Sequence, residues 1–170
     1  MTEVITILLK AFWCGIAAVG FGILFNVPKK SLAEVWIGGV IVGLVKFSVL
    51  KFLTPSIIFA SFLAAIMVGV YSMILAIIRR EPPMLYAIPS VIPLVPGVFA
   101  YKTMFGLIKL SSAAAGDYST TLADTAHNGA LTLFIIMAFT IGIIIPYEIG
   151  KNISKRSGDA KTLSNTTTPK

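Results

Sequence analysis

Ile88-Pro-Ser-Val-Ile-Pro-Leu-Val-Pro-Gly97 is the stretch whose reading decides the fold of this chain. It is apolar enough for hydrocarbon, yet it holds three prolines. Each proline in a helix interior removes a backbone donor and collides with the preceding turn, at about 3 kcal/mol. Gly97 adds backbone freedom. A continuous helix through Pro93–Gly97 is therefore not expected. In lipid an irregular backbone persists only where protein or a water-filled cavity surrounds it. The stretch thus predicts a membrane span broken at a Pro/Gly motif and turned toward the interior of an assembly. The plainer alternative is a kinked packing helix, because proline is frequent in membrane helices.

The surrounding sequence supplies the membrane setting. Of 170 residues, 56% are hydrophobic and 12% charged, against about 25% charged in a soluble domain. About 20 mainly apolar residues cross a bilayer, and five segments meet or approach that: 4–25, 34–53, 56–78, 85–101 and 129–149. Residues 56–78 carry no charge, whereas Lys46 and Lys51 leave open whether 34–53 crosses completely. Pro28, Pro55, Pro82 and Pro83 fall at expected helix ends, where a missing N–H does least harm. The expected fold is an all-α integral membrane protein: residues 1–150 form a bundle of about five transmembrane helices, the fourth broken. Two stretches are polar, Ser111–Asn128 and a basic tail, 151–170, expected to lack structure. The first apolar run is too long for a cleavable signal and reads as a retained span.

A net charge of +7 would suit nucleic acid only if gathered on a folded basic face. Here the cations flank or interrupt apolar runs, so no nucleic-acid partner is expected and anionic lipid is the better match. Lys29, Lys30, Arg79, Arg80 and the tail cations share one side in a five-span topology, which predicts a cytoplasmic C-terminus and an outside N-terminus. A single Cys14 excludes an internal disulfide and a cysteine zinc site. With no HExxH pair, GxSxG elbow or phosphate loop, the sequence supports no enzyme chemistry, cofactor or metal.

Small residues four apart let helix backbones approach closely in lipid. Ala18–Gly22, Gly39–Gly43, Ala65–Gly69 and Ala138–Gly142 supply four such pairs. Whether they meet within this chain, with a partner or in a homo-oligomer is open at this level.

The break supplies the candidate site. Unwound segments in transporters present backbone groups to ligand near the bilayer midplane. Around Pro93 and Pro96, a second half-helix beginning near Gly97 would turn the amides of Gly97, Val98 and Phe99 toward a carboxylate. Tyr101 and Lys102 follow about one turn later. Lys46, deep in its span, should face a cavity or an acid, unless the span is displaced and the chain snorkels. Asn26 and Asn128 lie at expected helix ends, where capping is the plainer role. His127 could titrate near neutral pH and so serve proton coupling, or be a solvated interface residue.

Phe21-Gly-Ile-Leu-Phe-Asn-Val-Pro28, Ala60-Ser-Phe-Leu-Ala-Ala-Ile-Met-Val-Gly69, Val91-Ile-Pro-Leu-Val-Pro-Gly-Val-Phe-Ala-Tyr101, Asn128 and Ile141-Gly-Ile-Ile-Ile-Pro146 resemble the small component of the threonine/serine exporter (ThrE-type) family. The likeness spans roughly residues 10–147. It implies a half-transporter of the bacterial plasma membrane that works with a larger partner subunit. It also implies export of threonine and serine, or of succinate-like dicarboxylates, driven by the proton motive force. The positions it carries over are Asn26, Pro28, Pro93, Pro96, Gly97, Tyr101 and Asn128. Lys46 and His127 match none. The rival reading is a scaffold subunit that binds no substrate and only docks a partner.

Overall fold

The computed structural model describes residues 2–112 and 118–166, with side chains for 3–112 and 118–150. The described residues contain six α-helices and two single turns of 3-10 helix: α1 (Thr2–Leu24), α2 (Leu32–Phe52), α3 (Ile57–Arg79), α4 (Met84–Val91), α5 (Gly97–Ser112) and α6 (Tyr118–Thr166). Among them, α1, α2, α3 and the first part of α6 are each long and apolar enough to cross a membrane, and α4 with α5 forms a bent fifth. The second segment thus forms a full-length helix, Leu32–Phe52, despite Lys46 and Lys51.

Local chemistry sets the ends. Asn26 is left-handed, φ 58°, while the Val27 amide donates to the Gly22 carbonyl at 2.9 Å. This six-to-one bond across a left-handed residue closes the orphan carbonyls of a helix end, and asparagine tolerates that conformation. Ser56 caps α3, its hydroxyl accepting from the Phe59 amide at 3.4 Å, and Arg80 ends it in the left-handed region.

Two seams of small residues hold the bundle, and both lie within the chain. Along the antiparallel α1–α2 seam, a Cβ on Gly39 would come within 2.6 Å of the Ala18 Cβ, and one on Gly43 within 2.7 Å of the Ala11 Cα. Along the parallel α3–α6 seam, a Cβ on Gly142 would meet the Ala65 Cβ at 2.8 Å, and one on Gly69 the Pro146 Cγ at 2.9 Å. Backbones this close give up side-chain volume for dispersion contact, which drives association in lipid, where burial from water contributes nothing. Val42, Ala64, Ala65, Val68, Val91 and Leu94 form the core between the seams, so α4 and the turn after it lie at the centre of the bundle.

Three boundaries differ from the sequence reading. The fourth span does not end at Tyr101, because α5 continues to Ser112. The fifth does not begin at Gly129: α6 starts at Tyr118, through residues polar in composition but free of proline and, until Gly129, of glycine. Helix continuity is limited by backbone breakers more than by polarity. Finally, the course of α6 runs on to Thr166; the expectation of an unstructured tail falls on residues whose side chains, and at the end whose backbone, lie outside those described.

Candidate functional site

The break is narrower than the sequence implied, and one proline makes it. Pro89 sits inside α4, and Pro93 occupies a 3-10 turn, Ile92–Leu94, with Ile92 still helical. Val95, by contrast, turns to φ −56°, ψ 127°. It precedes Pro96, whose ring excludes the helical region for the residue before it. Beyond Pro96, α5 departs at 58° to the preceding helix. Pro96 and Leu94 are buried, whereas Val95, Gly97 and Val98 are exposed.

The amides at the break only partly match expectation. The Val95 amide donates to the Ile92 carbonyl at 2.9 Å and that of Gly97 to the Val95 carbonyl at 2.8 Å. Gly97 is therefore not an open donor, because the turn at Pro96 folds its N–H back onto the chain. The first helical bond runs from the Ala100 amide to the Pro96 carbonyl, 3.0 Å. Val98 and Phe99 then hold the first-turn amides that a helix leaves unfilled.

Below the break, α5 packs on α6 around Gly106. A Cβ on Gly106 would strike the Thr125 Cβ at 3.0 Å, and glycine is what permits the approach. A cleft of about 400 Å³ opens there, lined by Lys102, Lys109, Thr121, Asp124, Thr125 and Asn128 around Phe105 and Gly106. The Asn128 side-chain amide donates to the Asp124 carbonyl at 2.7 Å, and Lys109 Nζ lies 4.8 Å from the Phe105 ring centroid. Lys102 and Asn128, singled out separately in the sequence, are thus brought together. Lys109, Thr121 and Asp124 were missed; the last two fall in the polar stretch Ser111–Asn128.

The remaining candidates lie elsewhere. Asn26 caps α1 at the other end of the bundle, exposed. Lys46 is half-buried, near Cys14, on the face of α2 that meets α1. Tyr101 is 68% exposed and stacks on Phe105, centroids 6.1 Å apart. His127 is exposed and lies outside the cleft lining, about 100° around the helix from Asn128.

At the opposite end, a polar clamp ties α2, α3 and α4. Arg79 pairs with the buried Glu34 carboxylate through Oε1; Oε2 is buried and lacks a partner. The Tyr71 hydroxyl donates to the Glu34 backbone carbonyl at 2.9 Å, and Ser90, on α4, donates to the Val35 carbonyl at 3.2 Å. Beside them, Glu81 accepts from Lys30 at 2.8 Å, Tyr86 at 2.6 Å and Ser31 at 3.2 Å. The Lys30 ammonium and then the Tyr86 hydroxyl hold the Glu81 carboxyl down at about 2, below its ordinary 4.5. Sequence reading missed this clamp; the signal on offer was an acid, Glu34, opening an apolar run.

A bundle of apolar helices, four of them long enough to cross a membrane and a fifth bent pair, defines a protein of the multi-pass membrane class. The family model for the threonine/serine exporter ThrE matches residues 10–149, and the chain belongs to that family. An uncharacterized protein of Haemophilus influenzae is 29% identical over 140 residues, a match covering 82% of this chain and 46% of the relative. The chain thus spans about half the length of that curated relative. No solved structure matches it.

Proposed function

We infer that this protein is one half of a secondary-active exporter of threonine, serine or a similarly small carboxylate-bearing metabolite. It acts with a larger subunit of the same family in the bacterial plasma membrane, N-terminus outside and C-terminus cytoplasmic. The observation that carries the reading is the interruption at Val95–Pro96, directly after the core residue Leu94, followed by a helix that leads into a charged cleft. Membership of an exporter family and the length of the relative, about twice the matched region, support the division into halves. Proton motive force is the proposed drive.

The test is efflux from a strain of the source organism lacking its own copy and complemented with variants. Pro96→Ala restores a helical option at Val95, and Gly97→Leu adds bulk where a Cβ meets nothing within 4 Å. Both should reach the membrane at wild-type level and lose export. Wild-type efflux of threonine, serine and succinate by both would remove the break from the mechanism; normal assembly of a larger subunit with no effect on any efflux would favour the scaffold role.

A further inference from the structure

The α5–α6 cleft carries charge of both signs that the fold does not neutralise. Lys102 and Lys109 come from α5, seven residues apart and so about 10 Å apart along one face. Asp124 comes from α6, and its position opposite Gly106, next to Thr125, sets it between the levels of the two lysines. All three line the same cleft. Yet the ion pairs among the described residues are Lys30–Glu81, Lys51–Glu3 and Arg79–Glu34, so Asp124 stands farther than 4.0 Å from either lysine. Unlike charges held apart along a groove leave room for a ligand that answers both.

We propose that this cleft binds the zwitterionic head of a small α-amino acid, with Lys102 taking the carboxylate and Asp124 the ammonium. The assignment rests on the exporter reading above and gives it a binding site with a role for each residue. Of the two lysines, Lys109 is already held over the Phe105 ring, which leaves Lys102 for the carboxylate. Asn128 stands one turn from Asp124 on the side toward Lys102. Because its Nδ2 is spent on a carbonyl, which can only accept, its Oδ1 remains as a second acceptor for the ammonium. Thr125, packed on Gly106, forms part of the cleft wall. A dicarboxylate would satisfy the lysines but bring a second negative charge against Asp124.

Complementation in the deletion strain tests this, with threonine and succinate efflux measured separately at sub-saturating load and variant abundance in the membrane checked. Asp124→Asn should lower threonine efflux about tenfold, the loss expected of one charge-assisted bond, while succinate efflux holds or rises. Asp124→Glu should recover most of the threonine activity, and Lys102→Gln should lower both. Threonine efflux by Asp124→Asn at the wild-type level overturns the assignment, as does an equal loss of both substrates at normal abundance. If wild-type complementation restores efflux of neither compound, the exporter reading itself falls, and the assignment with it.

Discussion

The two halves of the broken span live in different surroundings. Before the break, α4 is eight residues long, with Tyr86, Ala87, Pro89, Ser90 and Val91 buried, and it touches α1, α2 and α3. Beyond the break, α5 packs on α6, and Val98, Tyr101, Met104 and Ile108 are 53–68% exposed. One half is held by hydrogen bonds and an adjacent ionic cluster; the other is one rod resting on another. Segments with few buried contacts open at lower free energy than the core, so the bend at Val95–Pro96 joins a held part to a yielding one.

The contrast can be broken most directly with bulk. Gly38 lies under α4, where a Cβ would come within 2.9 Å of the Ser90 Cβ and 3.3 Å of Tyr71 Cε1. Gly38→Leu should therefore destabilise the detergent-solubilised protein by about 3 kcal/mol, the upper end of what overpacking costs. Gly97→Leu, across the bend, should stay within about 0.5 kcal/mol in the same thermal-unfolding assay. Equal effects would erase the distinction.

Charge removal comes next. Arg79→Ala strands a buried carboxylate and should cost about 1–3 kcal/mol, more than Glu34→Gln, which leaves the half-exposed guanidinium to water. The reverse order would mean that the pair does not hold α2 to α3. Tyr86→Phe, losing one hydrogen bond to Glu81, should cost about 1 kcal/mol and leave α5–α6 untouched, as proteolysis of that hairpin would report.

Acidification gives the smallest effect. Glu81 has a depressed folded-state pKa, about 2 against 4.5, so its contribution is complete above 4.5 and declines as pH falls toward 2. Melting curves should show that loss in the wild type and lack it in Glu81→Gln. A Glu81→Gln curve parallel to the wild type throughout would exclude the carboxylate as its source.

Much of the fold was legible because membrane helices announce themselves by length and hydropathy, and prolines mark where they stop. The small-residue pairs were visible too, though not their matching into two seams, which depends on how distant helices return. Of the three prolines, only the one whose predecessor leaves the helical region makes the break, a distinction of φ and ψ that composition does not contain. The clamp was hidden because Glu34 and Arg79 are 45 residues apart and meet only when α2 and α3 align. Half of the cleft was hidden for another reason: an Ala- and Thr-rich stretch reads as a connection although it lacks the residues that would stop a helix. Asn26 was legible as well: capping was its plainer reading, and it finishes a helix.

The parallel α3–α6 seam has a consequence for biosynthesis. Ala65 leaves the ribosome long before Gly142, and their contact needs every intervening segment already threaded. Until the last span arrives, the notch on the third helix faces acyl chains or a temporary companion, so a chain shortened before Gly142 should be handed to quality-control proteases although its first two spans have already zipped together.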